Sequence, residues 1–285
     1  MMQGTKAAVL AVLLGAAQAA SAATLSEDAA RGFIGTDSNW LLHKDLLQTP
    51  RIERGEPGAL AVVARAMRED DPRAGLALQN YLDRYPNDPA AFDLAGTHLL
   101  ANGQPREAVT AFNKALGLSP DLVWTRAKYG AALALLDKTY AARIQLERVM
   151  ESDPQNPLAL IWLQRIARDE GDLTAAIRYG ERALSAFGLP KSRVNQAHLE
   201  LADLYAAAGR WDAALDLLSP VLGADRLDLP DGFAVSVLGR LAQAATESGA
   251  SAIARRALDR AARRLPEGAY AQPPWAVLEA RTLRL

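Results

Sequence analysis

Two stretches of the sequence, 34 residues apart, carry the same pattern of small, apolar and polar residues. Residues 89–120 read PAAFDLAGTHLLANGQPREAVTAFNKALGLSP, and residues 123–154 read VWTRAKYGAALALLDKTYAARIQLERVMESDP. When the stretches are aligned, the shared small residues and the final proline are Gly96 and Gly130, Ala108 and Ala142, and Pro120 and Pro154. A fixed period of this length indicates a tandem array of structural repeats.

Each repeat has the pattern of two short helices joined by a turn. Apolar residues recur at helical spacing on both sides of a polar interruption, which lies at Gly103 in one stretch and at Asp137 in the next. Helices that pack at the short end of the usual 8 to 10 Å range need Gly or Ala at the contact, so we expect Gly96 to oppose Ala108. No strand pattern is present. The sequence therefore predicts an all-α fold of helix-turn-helix units.

These residues resemble the tetratricopeptide repeat (TPR) family, whose 34-residue pattern is W-x2-L-G-x2-Y, then A-x3-F, then P. The unit from Pro89 matches it at Phe92, Gly96, Leu99, Ala108, Phe112, Ala115 and Pro120. The resemblance implies a right-handed α-solenoid over residues 55–268, with about six units starting near residues 55, 89, 123, 157, 195 and 235. In the fifth unit Pro220 should end the second helix early, because proline removes a helical hydrogen bond.

The two ends of the chain differ from the repeats. Residues 1–22 have the features of a secretion signal: Lys6, an apolar run over residues 7–17, and a small-residue cleavage site at Ala20-Ser21-Ala22. This predicts export, most simply to the periplasm. An uncleaved membrane anchor is the alternative, although the run is shorter than the roughly 20 residues that span a bilayer. Residues 23–54 form a preface with one helix around residues 38–47.

The ends of a repeat array need caps, because terminal repeats otherwise expose an apolar face. We expect the preface helix to cap one end and residues 269–285 to form a capping helix at the other. The preface helix is rich in large apolar residues, namely Trp40, Leu41, Leu42, Leu46 and Leu47.

Composition and motifs exclude several classes of function. Lys plus Arg (32) and Asp plus Glu (33) nearly cancel, so nucleic acid is not an expected partner. Cysteine is absent, which excludes disulfides and thiolate sites. No catalytic, nucleotide or metal motif accompanies His43, His98 or His198. We therefore expect no enzymatic activity, no cofactor and no metal, and, beyond the N-terminal run, no transmembrane span.

The resemblance also implies a binding surface. In TPR proteins the first helix of each repeat lines a concave groove, and the corresponding positions here are Trp124, Lys128, Leu158, Ile161, Trp162, Arg165, Arg168, Glu200, Asp203 and Arg240. The interpretation that follows is a scaffold that binds a peptide or helix of another protein, for example in the assembly of an envelope complex such as a pilus, secretion or polysaccharide-export system. The tryptophans have an alternative role in packing between repeats. The alternative function is a self-associating structural subunit, hence a homo-oligomer.

A second candidate surface is basic. Arg256, Arg260, Arg263 and Arg264 are spaced by three or four residues on the second helix of the last repeat, which places them along one side of it. The alternative is that these arginines are solvated and stabilise the C-terminal end of the helix.

Overall fold

The computed structural model describes residues 58–69, 71–186, 191–223, 231–265 and 275–284. These residues form thirteen α-helices and one 3-10 helix, and they contain no strand. The all-α fold predicted from the 34-residue period is thereby confirmed. The expected secretion signal and preface, residues 1–54, lie outside the described residues. The chain divides into two compact units, residues 1–166 and 167–285, and each is described by itself.

Unit 1 contains three complete helical hairpins and most of a further first helix. Their bounds are α1 Ala59–Arg68, α2 Ala74–Arg84, α3 Pro89–Ala101, α4 Pro105–Leu118, α5 Val123–Ala134, α6 Thr139–Ser152 and α7 Pro157–Asp169, the last of which crosses the division between the units. The first helices of the repeats are α1, α3, α5 and α7. The second helices α2, α4 and α6 pack against their own first helix and, for α2 and α4, against the next one.

Local sequence explains where these helices begin. Asp88 caps α3, because its Oδ1 accepts a hydrogen bond from the Ala90 amide at 2.9 Å, and Pro89 occupies the first helical position. Pro105 likewise occupies the first helical position of α4. The turn before each second helix needs a residue with left-handed backbone conformation. This residue is Gly103, at φ 72°, before α4 and Asp137, at φ 57°, before α6.

Glycine permits the close approach of the two helices within a repeat. A Cβ added to Gly96 would lie 2.6 Å from the Phe112 ring, and one added to Gly130 would lie 2.8 Å from the Leu146 side chain. The small residue at this position is therefore required for space. Gly96 was expected to oppose Ala108. The atoms nearest to a Cβ on Gly96 belong to Phe112, one turn after Ala108, and the equivalent position on Gly130 lies 3.4 Å from the carbonyl of Ala142, the counterpart of Ala108.

Unit 2 contains the C-terminal end of α7 and six further helices around a core of Leu and Ala residues. These are α8 Leu173–Ser185, α9 Lys191–Ala207, α10 Trp211–Leu218, α11 Asp231–Glu247, α12 Ser251–Ala262 and α13 Trp275–Thr282. The expected early stop at Pro220 is confirmed, because α10 ends at Leu218 and a 3-10 helix follows over Ser219–Gly223. The first helices here are α9 and α11.

Helix α13 packs against both helices of the last repeat, α11 and α12. The Trp275 ring lies 2.8 Å from the position that a Cβ on Gly239 would take. Thr282 and Thr246 share a buried hydrogen bond of 2.9 Å between their hydroxyls, and Arg281 pairs with Glu247 at 2.5 Å. The described C-terminal helix therefore covers the last hairpin, within the range where a capping helix was expected.

None of the described helices combines the length and the apolar character that a membrane crossing requires.

Candidate partner-binding surface

The first-helix face of unit 1 is the side of α3, α5 and α7 that carries the positions implied by the TPR resemblance. Leu158, Ile161 and Trp162 on α7 are buried there, with Trp162 only 5% exposed. Trp124 on α5 is half-buried. Arg165 lies over the Trp162 ring, with its guanidinium carbon 5.3 Å from the ring centroid. Most of this predicted wall is thus withdrawn from solvent, and its role in binding remains a prediction.

Lys128 was expected to present a cation to a partner, and the structure instead buries and neutralises it. Its Nζ donates to Asp93 Oδ2 at 2.7 Å and to Thr97 Oγ1 at 3.1 Å, both on α3. The two charged side chains are 0% and 2% exposed. The carboxylate of Asp93 already occupies the position in which a partner's carboxylate would meet this lysine.

Thr97, one helical turn after Asp93, connects the backbone of Asp93 to Lys128. Thr97 Oγ1 donates to the Asp93 carbonyl at 2.8 Å, so the hydroxyl that accepts from Lys128 is itself oriented by the backbone of α3. The second carboxylate oxygen, Oδ1, is buried and has no hydrogen-bond partner in the described part of the chain. A buried charge pair with one unsatisfied acceptor is costly and is easily unbalanced by removal of either partner.

Unit 2 presents a different first-helix face, which is a ladder of partly exposed polar side chains on α9 and α11. Arg240 on α11 forms an ion pair with Asp203 on α9, and their side chains are 33% and 46% exposed. The Arg240 Nη1 also donates to Gln243 Oε1 at 2.7 Å. One turn before Asp203, Gln196 donates to Glu200 at 3.0 Å. The predicted residues Glu200, Asp203 and Arg240 are therefore brought together, and solvent reaches them.

The electrostatics of this ladder centre on Asp203. Its burial raises the pKa of the carboxyl above the ordinary value, the Arg240 guanidinium lowers it, and the nearby Glu200 carboxylate raises it again, with a smaller lowering from Arg168. The net direction is upward, so the fold penalises the ionised form of Asp203 even beside an arginine. Perturbed carboxyls of this kind are concentrated at functional sites.

Arg168 is the most exposed of the predicted groove residues on α7. Its guanidinium pairs with the neighbouring Asp169 at 2.8 Å, and the Arg168 side chain is 46% exposed. It belongs to unit 2 and contributes to the electrostatics of Asp203 there. Exposed pairs of this type contribute little to folding, so Arg168 is available for an intermolecular contact.

The basic stripe on α12 is partly a structural feature. Arg260 Nη1 donates to the Leu222 carbonyl at 3.0 Å and to the Val221 carbonyl at 3.5 Å, which ties α12 to the end of the 3-10 helix. Arg256 and Arg263 are exposed, whereas Arg264 is half-buried. The two exposed members are Arg256 on α12 and Arg263, which directly follows the end of α12 at Ala262, and binding by the stripe stays a prediction.

The described histidines make local contacts on their own helices. His98 Nε2 lies 3.1 Å from the Asn102 amide, and His198 Nδ1 lies 2.7 Å from the Val194 carbonyl. In the part of the chain that the structure describes, no three His, Asp or Glu residues are grouped as metal ligands would be.

Comparison with known proteins identifies the fold. Protein-family models give no match to this chain. One similar solved structure is YrrB, described as a TPR protein with an unusual peptide-binding site, at 16% identity over 73% of this chain and 98% of that chain, with a TM-score of 0.53. A second is PilF of Pseudomonas aeruginosa, at 15% identity over 78% of this chain and 96% of that chain, with a TM-score of 0.61. A third is PilW, described as a type IV pilus biogenesis factor, at 17% identity over 77% of this chain and 96% of that chain, with a TM-score of 0.61. The chain has the TPR fold.

The TPR repeat also explains which site residues sequence reasoning missed. Asp93 and Thr97 were not selected, yet Lys128 follows Asp93 by 35 residues, which is one repeat plus one residue. This offset places two side chains on neighbouring first helices, and an acid and a base at that offset are a signal for an ion pair between TPR units.

Proposed function

We propose that this protein is a binding scaffold that holds a segment of a partner protein on the first-helix face of unit 2, without catalysing a reaction. The observation that carries the proposal is the contrast between the two faces. In unit 1 most of the corresponding side chains are buried, whereas in unit 2 Glu200, Asp203 and Arg240 lie in a row of partly exposed polar groups. TPR proteins such as YrrB, whose description names a peptide-binding site, support the class of function.

The chemistry of the ladder favours a partner segment with both polar and charged side chains. Asp203 and Glu200 supply carboxylate acceptors, while Arg240 and Arg168 supply guanidinium donors. The ion pair of Asp203 and Arg240 already occupies some of these donors and acceptors. A partner segment must therefore replace part of this ion pair with its own contacts rather than only add new ones. Such interfaces gain specificity and association rate more than raw affinity.

Charge reversal separates this surface from the rest of unit 2. Arg240→Glu should abolish capture of the partner, because it places a third carboxylate beside Asp203 and Glu200. Arg255→Glu on the exposed side of α12 is the matched control, since it makes the same change in charge away from the ladder. Proteins that bind the wild type and the control but not the Arg240 variant are specific partners. If both variants capture the same proteins as the wild type, the ladder is not the binding surface.

The proposed location is the periplasm, with envelope assembly as the process. It is supported by the signal-like features of residues 1–22 and by the similarity in fold to PilW, a type IV pilus biogenesis factor. The mass of the protein recovered from the producing cell should correspond to a chain that begins near Ala23. Recovery of chains that retain Met1 in the cytosol would contradict the location without bearing on the ladder.

A self-associating subunit is a second candidate, favoured by apolar exposure on the first hairpin. Val62 on α1 and Leu76 on α2 are large aliphatic side chains that are 67% and 62% exposed. The double variant Val62→Asp and Leu76→Asp should convert an oligomer to a monomer in light scattering if this hairpin is an interface. A wild-type protein that is already monomeric at high concentration would exclude this function.

A further inference from the structure

Helix α13 occupies the position that the first helix of a further repeat would take. It packs against both helices of the preceding hairpin, α11 and α12, as α11 itself packs against α9 and α10. Thr246 and Thr282, whose hydroxyls share a buried hydrogen bond, are 36 residues apart, and Arg281 follows its partner Glu247 by 34 residues. The buried ion pair of unit 1 joins two first helices at a similar offset of 35 residues. These contacts place α13 beside α11 in the manner of a first helix.

One side of α11 connects the ladder on α9 to α13. Ser236, Arg240, Gln243 and Glu247 follow one another at spacings of four, three and four residues, which places them on the same side of the helix. None of the four is buried, whereas Leu241 on the opposite side is fully buried. On this side Arg240 pairs with α9 and Glu247 pairs with α13. The row of polar side chains therefore continues from α9 across α11 onto α13.

The ion pair of Arg281 and Glu247 is not what holds α13 in place. The two side chains are 52% and 24% exposed, and exposed ion pairs contribute little to folding. Other contacts secure the helix, namely the Trp275 ring against Gly239 and the buried hydrogen bond between two threonine hydroxyls. The Arg281 guanidinium can therefore exchange its contact with Glu247 for a contact with a partner while α13 stays docked.

The charges along this face alternate in sign. Glu200 and Asp203 on α9 are acidic, Arg240 on α11 is basic, Glu247 further along α11 is acidic, and Arg281 on α13 is basic. Neighbouring helices pack about 8 to 10 Å apart. The seven residues from Arg240 to Glu247 rise by about 10.5 Å along the helix. Each charge is therefore about 8 to 11 Å from the next charge of opposite sign.

These separations match one backbone conformation of a bound segment. A polyproline-II helix has three residues per turn and rises about 3.1 Å per residue, so every third side chain lies on the same side, about 9 Å from the last. In a β-strand, residues three apart lie on opposite faces. The polyproline-II backbone also makes no internal hydrogen bonds, so its carbonyls can accept from the Gln243 amide, whose Oε1 already accepts from Arg240.

We propose that α13 is part of the partner-binding face of unit 2, and that this face takes a polyproline-II segment in which basic and acidic side chains alternate at every third residue. The basic side chains of the segment face the carboxylates of Glu200 and Asp203 and, further along, of Glu247. Its acidic side chains face Arg240 and Arg281. A shift of the segment by one charge would set like charges opposite each other, so the alternation fixes its register. The inference rests on the proposed function, because it gives the extent and the partner chemistry of the same surface.

Synthetic peptides test the charge pattern on the full chain. The first probe is a fluorescein-labelled peptide in which lysine and glutamate alternate at every third position, with proline between them and both ends blocked. The second has the same composition but groups the lysines at one end and the glutamates at the other. In fluorescence anisotropy at low salt, the alternating peptide should bind at least about 10-fold more tightly, because grouped charges meet like charges on the face. Equal binding, or binding of neither peptide, overturns the inference. Tighter binding of an alanine-based helical peptide with the same charges at every seventh position also overturns it.

Exchanging the two charges of the α13 pair tests whether α13 belongs to the face. Glu247→Arg with Arg281→Glu keeps an ion pair between α11 and α13, so the midpoint of denaturation should stay near that of the wild type. The exchange inverts the order of charges, so the alternating peptide should bind at least about 10-fold more weakly. Arg255→Glu with Asp259→Arg makes the same exchange on the exposed side of α12 and should leave binding unchanged. Unchanged binding after the exchange at positions 247 and 281 shows that α13 is only a cap and overturns the inference.

A second variant decides if the exchange lowers the midpoint of denaturation. Arg281→Gln removes the cation without adding a charge and should weaken binding of the alternating peptide at least about 3-fold, whereas unchanged binding overturns the inference. The proposed function and this inference can fail separately. Peptide binding that is lost with Arg240→Glu but kept after the exchange at positions 247 and 281 supports the ladder and overturns its extension to α13. Partner capture that depends on Arg240, without any preference for the alternating peptide, likewise supports the ladder and overturns the charge pattern.

Discussion

Replacing Lys128 by methionine tests the buried charge pair of unit 1 most directly. Methionine keeps the length of the side chain and removes the ammonium group, so Asp93 loses the donor at 2.7 Å and stays in place. Both side chains are almost completely buried, which puts the pair among buried ion pairs rather than surface pairs. Removing one partner of a buried pair costs about 3 to 5 kcal/mol, because the other charge is left uncompensated.

A double-mutant cycle separates this cost from the value of the pair itself. Asp93→Leu in addition to Lys128→Met removes both charges and fills their space with apolar groups, so most of the lost stability should return. The assay is urea denaturation followed by circular dichroism, with thermal unfolding as a second measure. In a domain of this size the single variant should lower Tm by about 6 to 20 °C. A cost below about 1 kcal/mol for Lys128→Met would refute the reasoning, because that is the value of a solvated surface pair.

Three further perturbations test other parts of the structure. Asp203→Asn should be at least as stable as the wild type at pH 7, and this advantage in stability should vanish toward acid pH. The reason is that burial raises the pKa of Asp203 in the folded protein. The stability that the Asp203 carboxyl contributes is therefore present at low pH and is lost as pH rises through the raised pKa. Denaturation at several pH values measures this, and a variant less stable at every pH contradicts it. Gly96→Ala should cost about 1 to 3 kcal/mol through the clash with Phe112, whereas Gly117→Ala on the open side of α4 should be neutral or slightly stabilising in the same denaturation assay. Tyr205→Phe should remove an ultraviolet titration that occurs near pH 12, because burial and the hydrogen bond to Glu181 raise the pKa of Tyr205 to about 12; loss of a titration near 10 would mean that the bond is not formed.

The repeat framework could be predicted from the sequence because it depends on residues that recur at a fixed period. Gly96 and Gly130 mark the same steric requirement in successive repeats, and the structure shows large side chains, Phe112 and Leu146, against both. The stop before Pro220 is equally local, since it follows from the geometry of one residue. Features of this kind need no knowledge of what lies on the far side of a helix.

The binding surface could be predicted only in part, because the exposure of a first helix depends on what covers it. Lys128 and Arg240 are both first-helix cations, and each pairs with an acid on the preceding first helix, Asp93 and Asp203 respectively. Both are pairs of an acid and a base on neighbouring first helices, yet one is fully buried and the other is partly exposed. The repeat period therefore does not determine how far a first-helix ion pair is exposed.

The charge pair of Asp93 and Lys128 need not be the most stable occupant of its site. A buried pair is weak evidence for stability, since apolar residues of the same volume are often as stable or more stable. If stability alone governed the site, an apolar pair in place of Asp93 and Lys128 would serve as well. The double variant of Asp93→Leu and Lys128→Met therefore tests what the charges contribute to folding. A double variant at least as stable as the wild type would show that the charges are not needed for stability, whereas one less stable by more than about 1 kcal/mol would show that the pair stabilises unit 1.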